Sequence, residues 1–185
     1  GVIHMTTICA VKHNGKTAIA GDGQVTMGEK FVTKDSAKKV RRIYGNQVAI
    51  GFAGGVADAF TLQEWFEQKL EKYSGDLQHA AVALAQDWRK DPTLQKLEAM
   101  LIAVNATDIL LISGNGEVIT PDTLSESGDQ VIAVGSGGNF AQAAATALLL
   151  EGKDDLSVEK IVTTSVDIAG GIDVYTNHNV IVESF

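Results

Sequence analysis

The 185-residue chain holds a single cysteine, Cys9, and two prolines, and only 6% of it is aromatic. A lone cysteine makes no internal disulfide and no cysteine-based metal cluster, so nothing asks for an oxidising compartment and the cytoplasm is the expected location. Basic residues are in the minority, with Lys+Arg 15 against Asp+Glu 23 and a formal net charge of -8. Such a chain repels phosphate backbones as a whole. Its one basic cluster, Lys38, Lys39, Arg41 and Arg42, reads as a solvated strand edge around one functional lysine, not as a nucleic-acid footprint. Long apolar runs are missing too: Met100 to Val104 and Ile109 to Ile112 fall far short of the ~20 residues a membrane helix needs. Gly1 to Met5 lack the basic-then-apolar plan of a signal peptide and read as a short propeptide or cloning remnant. The four histidines, His4, His13, His79 and His178, show no i, i+4 pairing for zinc. A serine-histidine-aspartate triad would also lack its G-x-S-x-G elbow, and no G-x-x-x-x-G-K-[ST] phosphate loop occurs.

What remains has the balance of an ordinary globular protein, 45% hydrophobic and 21% charged, and residues 6–185 fit a single domain with a substantial core. The pattern predicts a hairpin of Thr6 to Lys12 and Thr17 to Ala20 around Asn14-Gly15, and a second of Val40 to Tyr44 and Val48 to Phe52. Apolar residues at helical spacing then run from Val56 to Tyr73, led by Val56, Phe60, Phe66 and Leu70, and a second helix covers Leu77 to Arg89. Pro92 opens a short third turn. Strands follow at Met100 to Val104, Ile109 to Ser113, Val118 to Thr120 and Val131 to Val134, then helices at Phe140 to Leu150 and Ser157 to Ala169, then strands at Val174 to Thr176 and Val180 to Glu183. Hairpin-length links and helices in pairs predict an α+β, αββα sandwich: two mainly antiparallel sheets face to face, helices outside.

Glycine clusters punctuate this plan. Gly54-Gly55 and Gly137-Gly138 each follow an apolar strand and precede a helix, which puts backbone N–H groups where an anion or oxyanion is stabilised. With histidine chemistry disfavoured, the hydroxyl at the start of the first strand becomes a candidate. A threonine with a free α-amino group carries its own base, because that amine titrates near ~8 instead of a lysine's ~10.4. The scheme needs a nearby cation, a carboxylate to fix that cation, and backbone donors for the oxyanion.

Seven blocks carry a resemblance: Thr6-Thr7-Ile8, Gly21 to Thr26, Lys38 to Arg42, Gly51 to Leu62, Lys96 to Leu101, Gly135 to Gly138 and Tyr175 to Asn177. In this order, spanning Thr6 to about Glu183, they resemble the HslV (ClpQ) family of bacterial peptidase subunits, relatives of proteasome β subunits. The resemblance implies an N-terminal-nucleophile (Ntn) threonine peptidase. Carried over by residue, Thr6 is the nucleophile after removal of residues 1–5, and Lys39 is the cation beside it, oriented by Asp22. Ser136 sits near the α-amino group, the Gly54 N–H faces the oxyanion, and Asp167 supports the site. The same resemblance implies sodium on the carbonyls of Gly170, Asp173 and Thr176, with no cofactor for the chemistry and ATP used only by a partner. It implies a double ring of twelve subunits and a hexameric HslU-type ATPase delivering unfolded proteins, with neither nucleic acid nor membrane as partner. This chain departs from the pattern at Gly171 and Asp173, positions often filled by aspartate and cysteine, and in a somewhat longer loop at Asp122 to Gln130. Two alternatives stand beside this reading: an Ntn amidohydrolase of small amides, and a catalytically silent ring subunit.

Overall fold

The computed structural model describes residues 5–96, 99–124, 126–152 and 155–185. Residues 1–4, Leu97 and Glu98 of the fifth block, Ser125 of the long loop and the side chain of Val56 lie outside the described set.

One sheet has the order β10-β1-β2-β11, built from β1 (Thr7–His13), β2 (Lys16–Gly21), β10 (Gln130–Gly135) and β11 (Ile181–Ser184). The other has the order β5-β6-β7-β8-β9, from β5 (Val40–Ile43), β6 (Val48–Ala53), β7 (Met100–Val104), β8 (Ile109–Ser113) and β9 (Val118–Ile119). Neighbouring strands are antiparallel throughout. Side chains alternate across a strand, and here both faces are covered, so the strands read as nearly continuous apolar runs. In β1, Ile8 and Ala10 face the second sheet in a cluster with Ile102, Val104 and Val134. Cys9 and Val11 face outward onto Ala141, Ala145, Val162 and Val166 of helices α3 (Gly138–Glu151) and α4 (Val158–Gly170). Val48, Ile50 and Leu101 likewise pack under Leu62, Phe66 and Leu84 of α1 (Val56–Lys72) and α2 (Leu77–Lys90). The result is the expected four-layer αββα sandwich.

Local chemistry fixes the helix ends. Asp76 accepts from the His79 N–H at 3.1 Å and Ser157 from the Lys160 N–H at 3.1 Å, each satisfying a first-turn donor. Trp88, fully buried, donates its indole N–H to the Leu94 carbonyl at 3.2 Å and so pins the turn that leads to β7. No described helix is long and apolar enough to cross a membrane.

Several expectations need correction. Val174 to Thr176 form a turn, not a strand: the Thr176 N–H closes back on the Asp173 carbonyl at 3.1 Å. Phe60, assigned to the buried face of α1, is 50% exposed and lies under the Arg41 guanidinium at 4.6 Å, so its ring covers a cation and not the core. An additional ribbon, β3 (Val25–Met27) with β4 (Phe31–Lys34), escaped the pattern reading because its residues are largely exposed and show no buried alternation. The loop before β10 is tied down by the His13 imidazole, which pairs with Asp129 at 2.9 Å in a buried contact.

Gly51 of β6 packs directly on side chains of the other sheet: a Cβ there would stand 2.5 Å from Ile8 Cγ2 and 3.1 Å from Ile19 Cδ1. Gly51→Ala is therefore expected to destabilise the chain by about 1–3 kcal/mol through overpacking. A lowered urea midpoint with an unchanged slope is the expected observation.

Candidate active site

Thr6 immediately precedes β1 and is 5% exposed; Asp22, just past the end of β2, is fully buried. The antiparallel register that pairs Ile8 with Gly21 brings the two together. One oxygen of Asp22, Oδ1, accepts from Thr6 Oγ1 at 3.2 Å, from the Thr7 N–H at 3.0 Å and from Lys39 Nζ at 2.9 Å. Its other oxygen accepts from the N–H groups of Gln24 at 3.1 Å and Asn177 at 3.3 Å. A carboxylate removed from water demands such compensation, and Asp22 receives it from both its oxygens.

The opposite side of residues 6 and 7 is held from β10 and from the turn after α4. Gly135 has φ +99, and a Cβ there would run into the Thr6 carbonyl, so only glycine lets β10 end alongside Thr6. The Thr6 carbonyl accepts from the Gly137 N–H at 3.4 Å and lies 3.3 Å from Ser136 Oγ. Ser136 Oγ also donates to Asp173 Oδ2 at 2.7 Å, and Thr176 Oγ1 donates to the same oxygen at 2.6 Å. Thr176 Oγ1 in turn meets Thr7 Oγ1 at 2.7 Å.

Lys39 is the cation of the site, with 12% of its side chain exposed. Burial pulls its pKa below the ordinary lysine value, while the carboxylates of Asp22 and, more weakly, Asp173 pull it back up. Its ammonium also donates to the Met5 carbonyl at 3.3 Å, on the bond that joins residue 5 to Thr6. While that bond stands, the Thr6 nitrogen is an amide and not a base. Cys9 is no rival nucleophile, because burial in apolar surroundings pushes its thiol up to about 12.

The structure thus gathers Thr6, Asp22, Lys39 and Ser136 into one cluster. Asp167 is not brought into it: its carboxylate is 58% exposed and pairs with His178 Nδ1 at 2.6 Å. Gly54 stands exposed between β6 and Gly55, the N-cap of α1. Gly170, Asp173 and Thr176 share the segment at and beyond the end of α4. Their carbonyls are the oxygen donors a hard cation takes, and the Asp173 carbonyl keeps a second lone pair beyond the one given to the Thr176 N–H at 3.1 Å, so the donor set fits. The Asp173 carboxylate instead faces the Ser136 and Thr176 hydroxyls. Pattern reading missed the side chains of Thr7, Asp173 and Thr176 as parts of the site. The one usable signal was an acidic residue at 173, where the resemblance leads to expect a cysteine.

The four-layer fold with a threonine, a lysine and a buried aspartate at the head of β1 is the arrangement of proteasome-type hydrolases. The sequence matches the proteasome-subunit family over residues 2–184. It is 65% identical over 181 residues to the ATP-dependent protease subunit HslV of Lacticaseibacillus casei, covering 98% of this chain and 100% of that one. Identity to the HslV subunit of Bacillus cereus is 55% over 183 residues, 99% of this chain and 98% of the other. The crystal structure of eukaryotic HslV from Trypanosoma brucei matches with a TM-score of 0.86 at 45% identity, covering 97% of this chain and 98% of that one. Thiobacillus denitrificans BPH shares the fold at 18% identity, with a TM-score of 0.71 over 97% of each chain. The chain belongs to the proteasome-subunit family, in its HslV branch.

The opposing influences on Lys39 give a signed prediction. Its ammonium is expected to titrate below the ordinary value of 10.5, and removing the charge of the leading upward influence by Asp22→Asn is expected to lower it further. NMR of chains carrying 13C-labelled lysine checks both; a Lys39 resonance that titrates higher in Asp22→Asn contradicts the assignment.

Proposed function

We propose that this chain is the peptidase subunit of an ATP-dependent protease and that it hydrolyses peptide bonds with Thr6 as the nucleophile once residues 1–5 are removed. The observation that carries this reading is the meeting of the Thr6 hydroxyl and the Lys39 ammonium on one oxygen of Asp22, at 3.2 and 2.9 Å. Removal of residues 1–5 converts the Thr6 amide into a primary amine beside its own hydroxyl. Lys39 then holds down the proton affinity of that amine by like-charge repulsion. The amine takes the hydroxyl proton as Oγ attacks the substrate carbonyl, and the tetrahedral oxyanion is stabilised by the Gly54 N–H at the entry to α1. Collapse of that intermediate breaks the C–N bond; the proton passes from the α-ammonium to the departing amine, leaving an ester on Thr6. Water, deprotonated by the same amine, hydrolyses the ester and frees the hydroxyl.

The assembly follows the family: a double hexameric ring of twelve subunits in the cytoplasm, with unfolded substrates delivered by a hexameric HslU-type ATPase that alone uses ATP. Confinement in a ring gives selectivity by size, so few substrate-specific contacts are needed at the site. Asp167, at the outer end of α4, has at most an indirect part. A monovalent cation, sodium by preference, would sit on the carbonyls of Gly170, Asp173 and Thr176 and stiffen the turn that carries the Asp173 carboxylate.

The silent-subunit alternative is weakened by the gathered Thr6, Asp22, Lys39 and Ser136. The small-amide alternative is weakened by full-length similarity to proteins named protease subunits. A chain that begins at Thr6 is expected to form one covalent adduct with an epoxyketone, the class to which epoxomicin belongs, bound in a solved complex of BPH. Thr6→Ala is expected to form none. Short hydrophobic peptide amides should be cleaved slowly without the ATPase, and folded proteins only with the ATPase and ATP. An assembled, trimmed sample that stays unmodified by mass spectrometry overturns the proposal.

A further inference from the structure

A carboxylate accepts hydrogen bonds and donates none, whereas a hydroxyl has one proton to give and two lone pairs. That asymmetry fixes the direction of every bond around Asp173. Thr176 Oγ1 lies 2.6 Å from Asp173 Oδ2, so its proton points there, and its 2.7 Å contact with Thr7 Oγ1 must have Thr7 as the donor. Ser136 Oγ faces two acceptors, Asp173 Oδ2 at 2.7 Å and the Thr6 carbonyl at 3.3 Å. The shorter, charge-assisted bond holds the proton. Ser136 Oγ is thereby fixed at 3.3 Å from the Thr6 carbonyl oxygen, beside the main chain of residue 6.

We infer that Asp173 is a positioning residue for the peptidase reaction: it takes the protons of Ser136 and Thr176, so that Ser136 is fixed beside the main chain of residue 6 and Thr176 presents an acceptor to Thr7. This rests on the reading of Thr6 as the nucleophile. An amine that acts as a base must aim its lone pair at its own hydroxyl proton, and holding the backbone of residues 6 and 7 through Ser136 and Thr7 limits how far that geometry drifts. Asp173 touches neither the substrate nor the hydroxyl of Thr6, and acts only through Ser136 and the Thr176–Thr7 pair. Residues 6 and 7 are thereby clamped between two carboxylates, Asp22 on one side and Asp173 on the other, each reached through different donors. Tyr175 supplies a further N–H to Asp173 Oδ1 at 3.3 Å, which fixes the plane of the carboxylate.

Both hydroxyls donate to Oδ2, so asparagine keeps both bonds by placing its amide oxygen there, whereas alanine removes the acceptor altogether. In the trimmed, ring-forming protein acting on a short fluorogenic peptide amide, Asp173→Ala is expected to lower kcat roughly tenfold, with KM within about twofold. Ser136→Ala is expected to lose a similar factor. The double variant Asp173→Ala/Ser136→Ala should lose roughly tenfold in total, not a hundredfold, because the first residue works through the second. Multiplying losses, or an Asp173→Ala enzyme with an unchanged kcat, overturns the inference. A merely structural role would instead lower the melting temperature and leave the two losses multiplicative. If Asp173→Ala does not assemble, Asp173→Ser, which also removes the carboxylate, is read in the same cycle with the same two outcomes. Thr6→Ala separates the two levels of argument: residual activity there defeats the nucleophile assignment itself, whereas an inactive Thr6→Ala with multiplicative Asp173 and Ser136 losses defeats this inference alone.

Discussion

Asp22 has no exposed surface, and its carboxylate collects donors from four separate parts of the chain: Thr6 and Thr7 at the head of β1, Gln24 after β2, Lys39 before β5, and Asn177 in the turn beyond α4. A buried charge is tolerable only while such partners stay in place, and removing one leaves a cost of several kcal/mol, about 3–5 for a broken ion pair. The site is therefore organised by the same energetic demand that holds these segments together. Thr6, Lys39 and a supporting turn are drawn to one point because a carboxylate placed there cannot be left unsatisfied.

The rest of the fold makes that point reachable. The Ile8 and Ile19 side chains packed on Gly51, and a glycine where β10 passes the Thr6 carbonyl, leave no room for a Cβ at either place, so the strand that follows Thr6 is closely held. Lys39 sits at the edge of this packing, desolvated enough to have its pKa lowered yet held charged by Asp22. The turn after α4 closes the other side with Asp173, Thr176 and Asn177, each bonded to a different member of the site. Rigidity of this kind suits the proposed chemistry, in which base and nucleophile share one residue and their geometry has little slack to recover.

Much of this was legible before any coordinates. Buried strands with both faces covered, such as β1 and β7, announce themselves as apolar runs, and α2 follows its 3.6-residue period closely. Thr6, Asp22, Lys39 and Ser136 came from blocks whose order carries more information than any one of them. The misses share a cause: exposure or side-chain direction, which periodicity does not encode. The ribbon of β3 and β4 buries too little to leave a pattern, Phe60 is apolar but turned to Arg41, and Val174 to Thr176 are strand-like in composition yet bent by a turn hydrogen bond. Asp167 was placed by resemblance alone, and its side chain points to His178 at the surface. Asp173 and Thr176 were expected for their carbonyls, whereas the contacts that join them to Ser136 and Thr7 are made by their side chains.

The dependence on Asp22 is tested most directly by the crystal structure and peptidase rate of a trimmed Asp22→Asn particle, measured on the same preparation. The account predicts an assembled ring in which the residue-39 ammonium has left the residue-6 hydroxyl, with kcat reduced at least about a hundredfold. A particle that keeps Lys39 beside Thr6 and cleaves peptide amides at the unsubstituted rate would contradict it.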